Sequence, residues 1–218
     1  MPKYKITIAS DQDSWINQYI PLLIEKLESE GNEVFWVHAV DEIMIGDFAF
    51  YLGCGQLVKP PILARNAHNL VVHESDLPKG KGWSPLTWQI LEGKNNIPIC
   101  LFEAAESIDS GRIYLKGTME FKGTELIDEL RYVQANTSIK ICLTFVRNYP
   151  SVITNGFEQE GESTYYKKRE PDDSRLNPDR TIREQFNLLR VVDNQRYPAF
   201  FKIDGTTYIL RIENKEPI

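Results

Sequence analysis

The chain has 218 residues, 42% of them hydrophobic and 26% charged, with a formal net charge of −6. This suits one sizeable core with at most a small appendage, and the acidic balance excludes broad electrostatic binding to nucleic acid, whose phosphates need a basic footprint. No apolar run approaches the roughly 20 residues of a membrane helix, and the opening Met-Pro-Lys-Tyr-Lys-Ile-Thr-Ile alternates instead of forming the apolar core of a leader.

Residues 3–9 read as a first strand, and Asp11 or Asp13 as the cap of a following helix. Trp15, Ile16, Tyr19, Leu22, Leu23, Ile24 and Leu27 fit helical spacing, Glu30-Gly31-Asn32 stops the run, and residues 33–37 form a second strand. Strand, helix and strand at this spacing favour a parallel sheet with a right-handed crossover. The first junction, Ala9-Ser10-Asp11-Gln12-Asp13, has no glycine, so the G-x-G-x-x-G dinucleotide fingerprint is absent and a nicotinamide cofactor is disfavoured.

Residues 48–52 are a third strand before Gly53-Cys54-Gly55, which is either a tight turn or a place where a flat ligand meets the backbone. A short helix follows Pro60-Pro61. Residues 69–72 are a buried strand that ends abruptly in His73, with the polar turn Glu74-Ser75-Asp76-Leu77-Pro78-Lys79-Gly80-Lys81-Gly82 beyond it. Ligands of open α/β sheets bind beyond the carboxyl ends of strands, so a histidine there, titrating near neutrality, is placed for proton transfer. A strand-end histidine that merely caps a backbone group is the plainer alternative.

Ser84 reads as the N-cap and Pro85 as the first residue of a helix ending at Gly93. Residues 98–103 are a strand, 106–111 a loop and 112–121 a further extended segment. Thr124 is placed to cap a helix running to about residue 146, broken at Asn136-Thr137. Residues 155–180 are charged and poor in aliphatics and should be loop, mobile in part. Thr181 and Glu184 form a capping-box pattern for a last helix, and residues 199–203 and 208–212 flank Asp204-Gly205 as a hairpin. Trp15 and Trp88 are assigned to the core, and His38 and His68 have no visible partner. The expected division is a catalytic core over 1–150 and an extension over 151–218 packed on it. Cys54, Cys100 and Cys142 are far apart and read as reduced thiols of a cytoplasmic protein. They have no metal-binding spacing with the histidines, and no metal is expected.

Three pieces stand in order: His73-x-Ser75-x-Leu77-Pro78 with Gly82, then Trp83-x-Pro85-x-x-Trp88-x-Ile90-x-x-Gly93, then Ile108-Asp109-Ser110-Gly111-x-Ile113. Together, within residues 57–121, they resemble the formyltransferase family, whose pattern runs N-x-H-x-S-x-L-P, x-x-x-G, P-x-x-W-A-I-x-x-G and D-x-G-x-I. The resemblance implies an α/β fold: a Rossmann-like formyltransferase core with a mainly parallel sheet, plus a C-terminal helix and β-hairpin. It also implies 10-formyltetrahydrofolate as co-substrate. The stretches Tyr165-Tyr166-Lys167-Lys168-Arg169-Glu170-Pro171, Phe186-Asn187-Leu188-Leu189-Arg190 and Tyr197-Pro198-Ala199-Phe200 are similar to the tail of sugar N-formyltransferases. The chain looks too short for the separate tRNA-binding domain of methionyl-tRNA formyltransferases and too acidic to replace one. The implied acceptor is a UDP- or dTDP-linked 4-amino-dideoxysugar, as in pseudaminic-acid-type surface-glycan pathways. The terminal hairpin and long helix offer a homodimer surface.

Carried onto this sequence, the family's catalytic histidine and aspartate fall on His73 and Asp109. The pterin is expected near Gln56, Leu57 and Val58 and the loop from Glu103 to Asp109, with Glu103 and Ser107 as its contacts there. Ser75, Lys79, Lys81 and Trp83 border the acceptor, although a solvated loop rim is the alternative for the charged residues, and Ser75 reads mainly as bonding the turn backbone. The basic run Lys167-Lys168-Arg169 is either a phosphate contact or a plain charged loop. The family's asparagine, understood to bind the formyl oxygen as it becomes an oxyanion, falls on Val71. Valine donates no hydrogen bond, and losing one such donor costs about 100- to 1,000-fold. Asn69 shares the face but lies roughly 13 Å from His73 along a strand. Besides transfer, this departure leaves open a formyltetrahydrofolate hydrolase and a folate- or nucleotide-binding homologue with impaired catalysis.

Overall fold

The computed structural model describes residues 3–215. Its central strands are apolar on both faces because helices and loops cover the sheet from both sides. Along β1 (Lys5–Ala9), Ile6 and Ile8 join one core cluster while Ala9 joins another. The crossover helix α1 (Ile20–Ser29), reached through a 3-10 turn at Trp15–Gln18, leads to β2 (Glu33–Val37), which pairs with β1 in parallel. Neither Asp11 nor Asp13 caps this helix. The Asp11 carboxylate instead accepts the Gly55 N–H at 2.9 Å and Gln56 Nε2 at 3.1 Å, tying down the loop after the third strand.

β3 (Gly46–Tyr51), α2 (Pro60–Leu63) and β4 (Asn66–His73) complete the parallel part. After β5 (Lys81–Gly82) and α3 (Pro85–Leu91), β6 (Asn96–Glu103) and β7 (Ile113–Glu120) add two antiparallel strands. The sheet order is β2-β1-β3-β4-β6-β7, so β4 lies inside the sheet; its carboxyl end lies beside Cys100 of the antiparallel β6, and the loop that joins β6 to β7 reaches it through Asp109.

α4 (Ile127–Asn148) is one unbroken helix of 22 residues. The expected break does not occur because Asn136 Nδ2 and Thr137 Oγ1 donate to the carbonyls one turn earlier, at Tyr132 and Val133, and so stay compatible with the helix. Thr124 is not its cap: Glu125 accepts the N–H groups of Lys122, Gly123 and Thr124, and Glu129 accepts that of Leu126. Phe145 on this helix meets Phe48 edge-on at 5.5 Å and 88°. Ser84 sits at the N-cap position of α3 in the left-handed region (φ 48°) and makes no side-chain cap.

Beyond α4, the short α5 (Ser151–Thr154) leads into the charged stretch, which is mostly loop. Two of its residues form β8 (Tyr165–Tyr166), paired in parallel with β5. Thr181 and Glu184 make the capping box through reciprocal bonds, ahead of α6 (Phe186–Arg190). β9 (Ala199–Ile203) and β10 (Thr206–Leu210) form the hairpin, with Asp204 and Gly205 both at positive φ. Among the described residues no helix is long and apolar enough to cross a membrane.

Arg190 joins these last elements to the sheet layer. It is 0% exposed, and its guanidinium donates to Asn95 Oδ1 at 2.9 Å and to the carbonyl and carboxylate of Glu125, each at 3.2 Å. Breaking a buried pair strands the partner charge, at a cost of about 3–5 kcal/mol. Arg190→Ala is therefore expected to lose about that much stability in urea denaturation, and a loss below 1 kcal/mol would show the contact to be dispensable.

Candidate active site

β4 delivers its side chains alternately to two faces. Val71 packs toward Tyr51, Leu77 and Phe102, and Val72 toward the α4 side of the sheet. His73 follows Val71 and Glu74 follows Val72, so two ionisable neighbours leave the strand end in opposite directions. Both wall a cleft with a volume of about 540 Å³.

His73 is 6% exposed, and its Nε2 lies 2.8 Å from the Gly80 carbonyl oxygen. A carbonyl only accepts, so Nε2 carries a proton in either charge state of the ring. Asp109 Oδ2 is 3.9 Å from the same nitrogen, a charge contact beyond hydrogen-bond range. That oxygen instead accepts the Gly82 N–H at 2.8 Å. Asp109 has a left-handed backbone (φ 49°), which aspartate tolerates better than most residues. The loop behind it is pressed against β6 at Gly111, where a Cβ would fall 1.7 Å from the Glu103 carbonyl oxygen. Only glycine fits there.

Gly82 performs a second close approach: a Cβ on it would lie 2.5 Å from the Tyr166 carbonyl oxygen. The β5–β8 pairing therefore requires the glycine, and that pairing leads Lys168 and Arg169 to the cleft. Lys168 Nζ sits 4.8 Å from the Trp83 ring centre, forming a cation–π pair at the cleft wall. Lys167 pairs with Asp173 at 2.7 Å, and Arg169 bonds the carbonyls of Val191 and Asp173 and the Ser174 hydroxyl.

The structure brings His73, Asp109 and Trp83 together in the cleft, with Val71 in its wall. It does not bring the expected pterin residues to that wall. Gln56 Nε2 bonds Asp11 and the His38 carbonyl, Leu57 is exposed, and Val58 packs on the cluster around Ile43 and Ala49. Glu103 accepts from the Asn69 N–H, His68 Nδ1 and the Tyr114 hydroxyl at 2.6, 3.0 and 2.9 Å, and Ser107 is exposed in its loop. Of the expected acceptor residues, Lys79 is exposed, and Lys81 is buried with Nζ 6.0 Å from the Tyr165 ring. Ser75 is buried, but its hydroxyl has no partner and does not bond the turn backbone. Asn69 is fully committed, to Tyr51 and the Leu63 carbonyl, and does not replace the missing asparagine.

Several assignments change. His68 has Glu103 as partner, and His38 Nδ1 contacts the Ser10 carbonyl at 3.0 Å. Trp15 packs half-buried against the main core and also walls the cleft under the Arg131 guanidinium, and Trp88 stacks on Tyr166. Sequence reasoning missed Glu74, Arg131 and Gln134. The signal lay in α4, where Arg131, Gln134 and Ser138 recur on one face of a helix otherwise packed on the sheet. Burial pushes the Glu74 carboxyl up, with His73 and a 2.7 Å hydrogen bond from Gln134 Nε2 opposing the shift. Burial likewise raises the Cys54 thiol, which keeps this cleft residue protonated at neutral pH.

Comparison with known proteins supplies the frame for this cleft. No protein-family model matches the chain. A methionyl-tRNA formyltransferase from Thermosipho africanus is 31% identical over 187 residues, covering 85% of this chain and 55% of that protein. A structure from Clostridium thermocellum named methionyl-tRNA formyltransferase superposes with TM-score 0.76 at 22% identity, over 97% of this chain and 93% of that one. The chain has the formyltransferase fold. A 4-N formyltransferase from Francisella tularensis shares that fold (TM-score 0.69, 17% identity, 98% and 99% of the two chains). HypX from Aquifex aeolicus, solved with tetrahydrofolic acid, shares it over 96% of this chain and 37% of its own (TM-score 0.78, 17% identity). The chain spans about half the length of the curated relatives it matches.

Glu74 also gives this formyltransferase fold a pH signature. A carboxyl whose pKa is raised on folding binds its proton more tightly in the native state. Its contribution is fully present below the unfolded value, near 4.3, and is lost as pH rises through the higher folded value. Thermal melts from pH 4 to 8 should show Glu74→Gln gaining on the wild type as pH rises. A constant difference would contradict the shift.

Proposed function

We propose that this chain transfers the formyl group of 10-formyltetrahydrofolate to the amine of a nucleotide-linked amino-dideoxysugar. The observation that carries this reading is the meeting of His73 and Asp109, where the family's histidine and aspartate fall, at 3.9 Å in a cleft of the formyltransferase fold. Tetrahydrofolic acid bound to the HypX neighbour supports the donor. Three features favour a nucleotide-sugar acceptor over a tRNA. The net charge is −6, the cleft is of small-ligand size, and the Trp83–Lys168 pair offers an aromatic face and a cation to a base and a phosphate. The 4-N formyltransferase match spans both chains almost completely. UDP or dTDP as carrier, a surface-glycan pathway of the pseudaminic type and a cytoplasmic setting belong to the same proposal. So does a homodimer, supported by the exposed Ile203, Tyr208 and Ile209 on the hairpin.

In this mechanism the Gly80 carbonyl holds the His73 Nε2 proton and fixes the ring, which leaves Nδ1 as the nitrogen free to give and take a proton at the formyl group. Asp109 places its carboxylate 3.9 Å from Nε2, and its bond to the Gly82 N–H fixes the turn that carries Gly80. Val71 supplies no second donor, which specifically favours one alternative: a homologue that binds folate or nucleotide but turns over slowly or releases formate.

His73→Ala should cut formyl transfer by at least about 100-fold while the far-UV spectrum is kept. Undiminished transfer would remove His73 from the mechanism. Val71→Asn restores an amide at the vacant donor position and is expected to raise kcat, by up to about 100-fold. An unchanged or lower kcat in a folded variant would show that the oxyanion is already fully served. Product analysis by mass separates transfer from amine-independent formate release.

A further inference from the structure

We propose that Glu74 receives the acceptor's ammonium group and takes its proton before the amine attacks the formyl carbon. The proposal rests on the formyl-transfer reading and adds a residue on the acceptor side of the cleft.

Four observations support it. Glu74 walls the cleft and follows His73 directly, so its side chain leaves β4 toward α4 while the imidazole leaves toward the Asp109 loop. The two groups flank the strand end, as a donor and an acceptor meeting there would require. Gln134 Nε2 holds the carboxyl at Oε1 at 2.7 Å, and Gln89 Nε2 holds the Glu74 backbone carbonyl at 2.6 Å, so the residue is fixed from two helices. No cation pairs with it among the described residues. Of the cleft's other cations, Arg131 is taken by Asp193 at 2.9 Å, Arg196 by the Asp13 carbonyl at 3.1 Å and Arg169 by two carbonyls and a hydroxyl, while Lys168 lies over the Trp83 ring at 4.8 Å. A half-buried carboxylate without a cation is a ready site for an ammonium ion. Burial also raises its pKa, which strengthens it as a base.

The step balances as follows. The acceptor R–NH3⁺ gives one proton to the Glu74 carboxylate and becomes R–NH2. Its lone pair forms the new C–N bond to the formyl carbon, and the bond from that carbon to the folate N10 breaks. The second proton leaving the amine passes by way of His73 to N10, and Glu74 later returns its proton to solvent. The groups bearing on this titration are His73 on β4, Asp109 on its loop, Arg131 with Asp193 on the α4 side, and the neutral amides of Gln134 and Gln89.

The test uses the full chain with 10-formyltetrahydrofolate and two kinds of acceptor. One is a panel of UDP- and dTDP-linked 4-amino-dideoxysugars, which are ammonium ions at pH 7. The other is hydroxylamine, which is largely uncharged at that pH. Glu74→Gln should lose at least about 100-fold in kcat/KM with the sugar that the wild type uses, while formylation of hydroxylamine stays close to wild type. The sugar deficit should shrink as pH rises and solution supplies the free amine, and Glu74→Asp should recover part of it. Equal losses with both acceptors, or a deficit independent of pH, would make Glu74 a structural residue and overturn the proposal. A wild type that formylates hydroxylamine but no ammonium acceptor overturns it too, while formyl transfer stands. A wild type that formylates neither removes the formyl-transfer reading itself.

Discussion

The imidazole of His73 is held by a carbonyl, and the rest of the site follows from that contact. Gly80 brings its oxygen to 2.8 Å of Nε2, fixing a proton on that nitrogen and aiming the ring across the strand end. The turn that carries Gly80 is fastened twice. Gly80 N–H donates to Thr164 Oγ1 at 2.8 Å, and Gly82 N–H donates to Asp109 Oδ2 at 2.8 Å. Asp109 therefore acts on His73 by two routes, as a charge 3.9 Å away and as the anchor of the turn that holds the ring. Both routes need glycines, because backbone approaches backbone at Gly82 and Gly111 more closely than any side chain allows.

The same turn explains why the charged stretch beyond α5 is partly ordered. Tyr165 and Tyr166 have little core to join, but they pair with Lys81 and Gly82, and Tyr166 stacks on Trp88. The chain then crosses to the cleft wall, where Lys168 meets Trp83. A segment that composition marks as loop is thus ordered by backbone pairing and aromatic contact, neither of which appears in local hydropathy. Loop order and site geometry share one cause.

Local chemistry made much of the fold legible. The continuous apolar strands, the βαβ opening, the stop at Gly93 and the Asp204-Gly205 hairpin are set by residues close in sequence. The errors arose where side chains bond at long range. Asp11 reads as a helix cap but binds a loop 44 residues away, and Glu103 reads as a ligand residue but collects three donors from β4 and β7. Of the site, the pairing of His73 with Asp109 was legible through a motif. Glu74 was not, because its meaning depends on Gln134, 60 residues later, and on the absence of a cation that only the fold reveals.

β4 thus ends as a partition, with His73 and the Asp109 turn on one side and Glu74 with Gln134 on the other. In the reaction proposed, formyl donor and amine acceptor approach from these two sides and meet at the strand end. A crystal structure of the protein with the stable analogue 5-formyltetrahydrofolate tests this most directly. The pterin is expected on the Val71–His73 face, with the folate N10 within hydrogen-bonding reach of the His73 ring and the Glu74 face left open. Folate bound on the Glu74 side, or outside this cleft altogether, would contradict it.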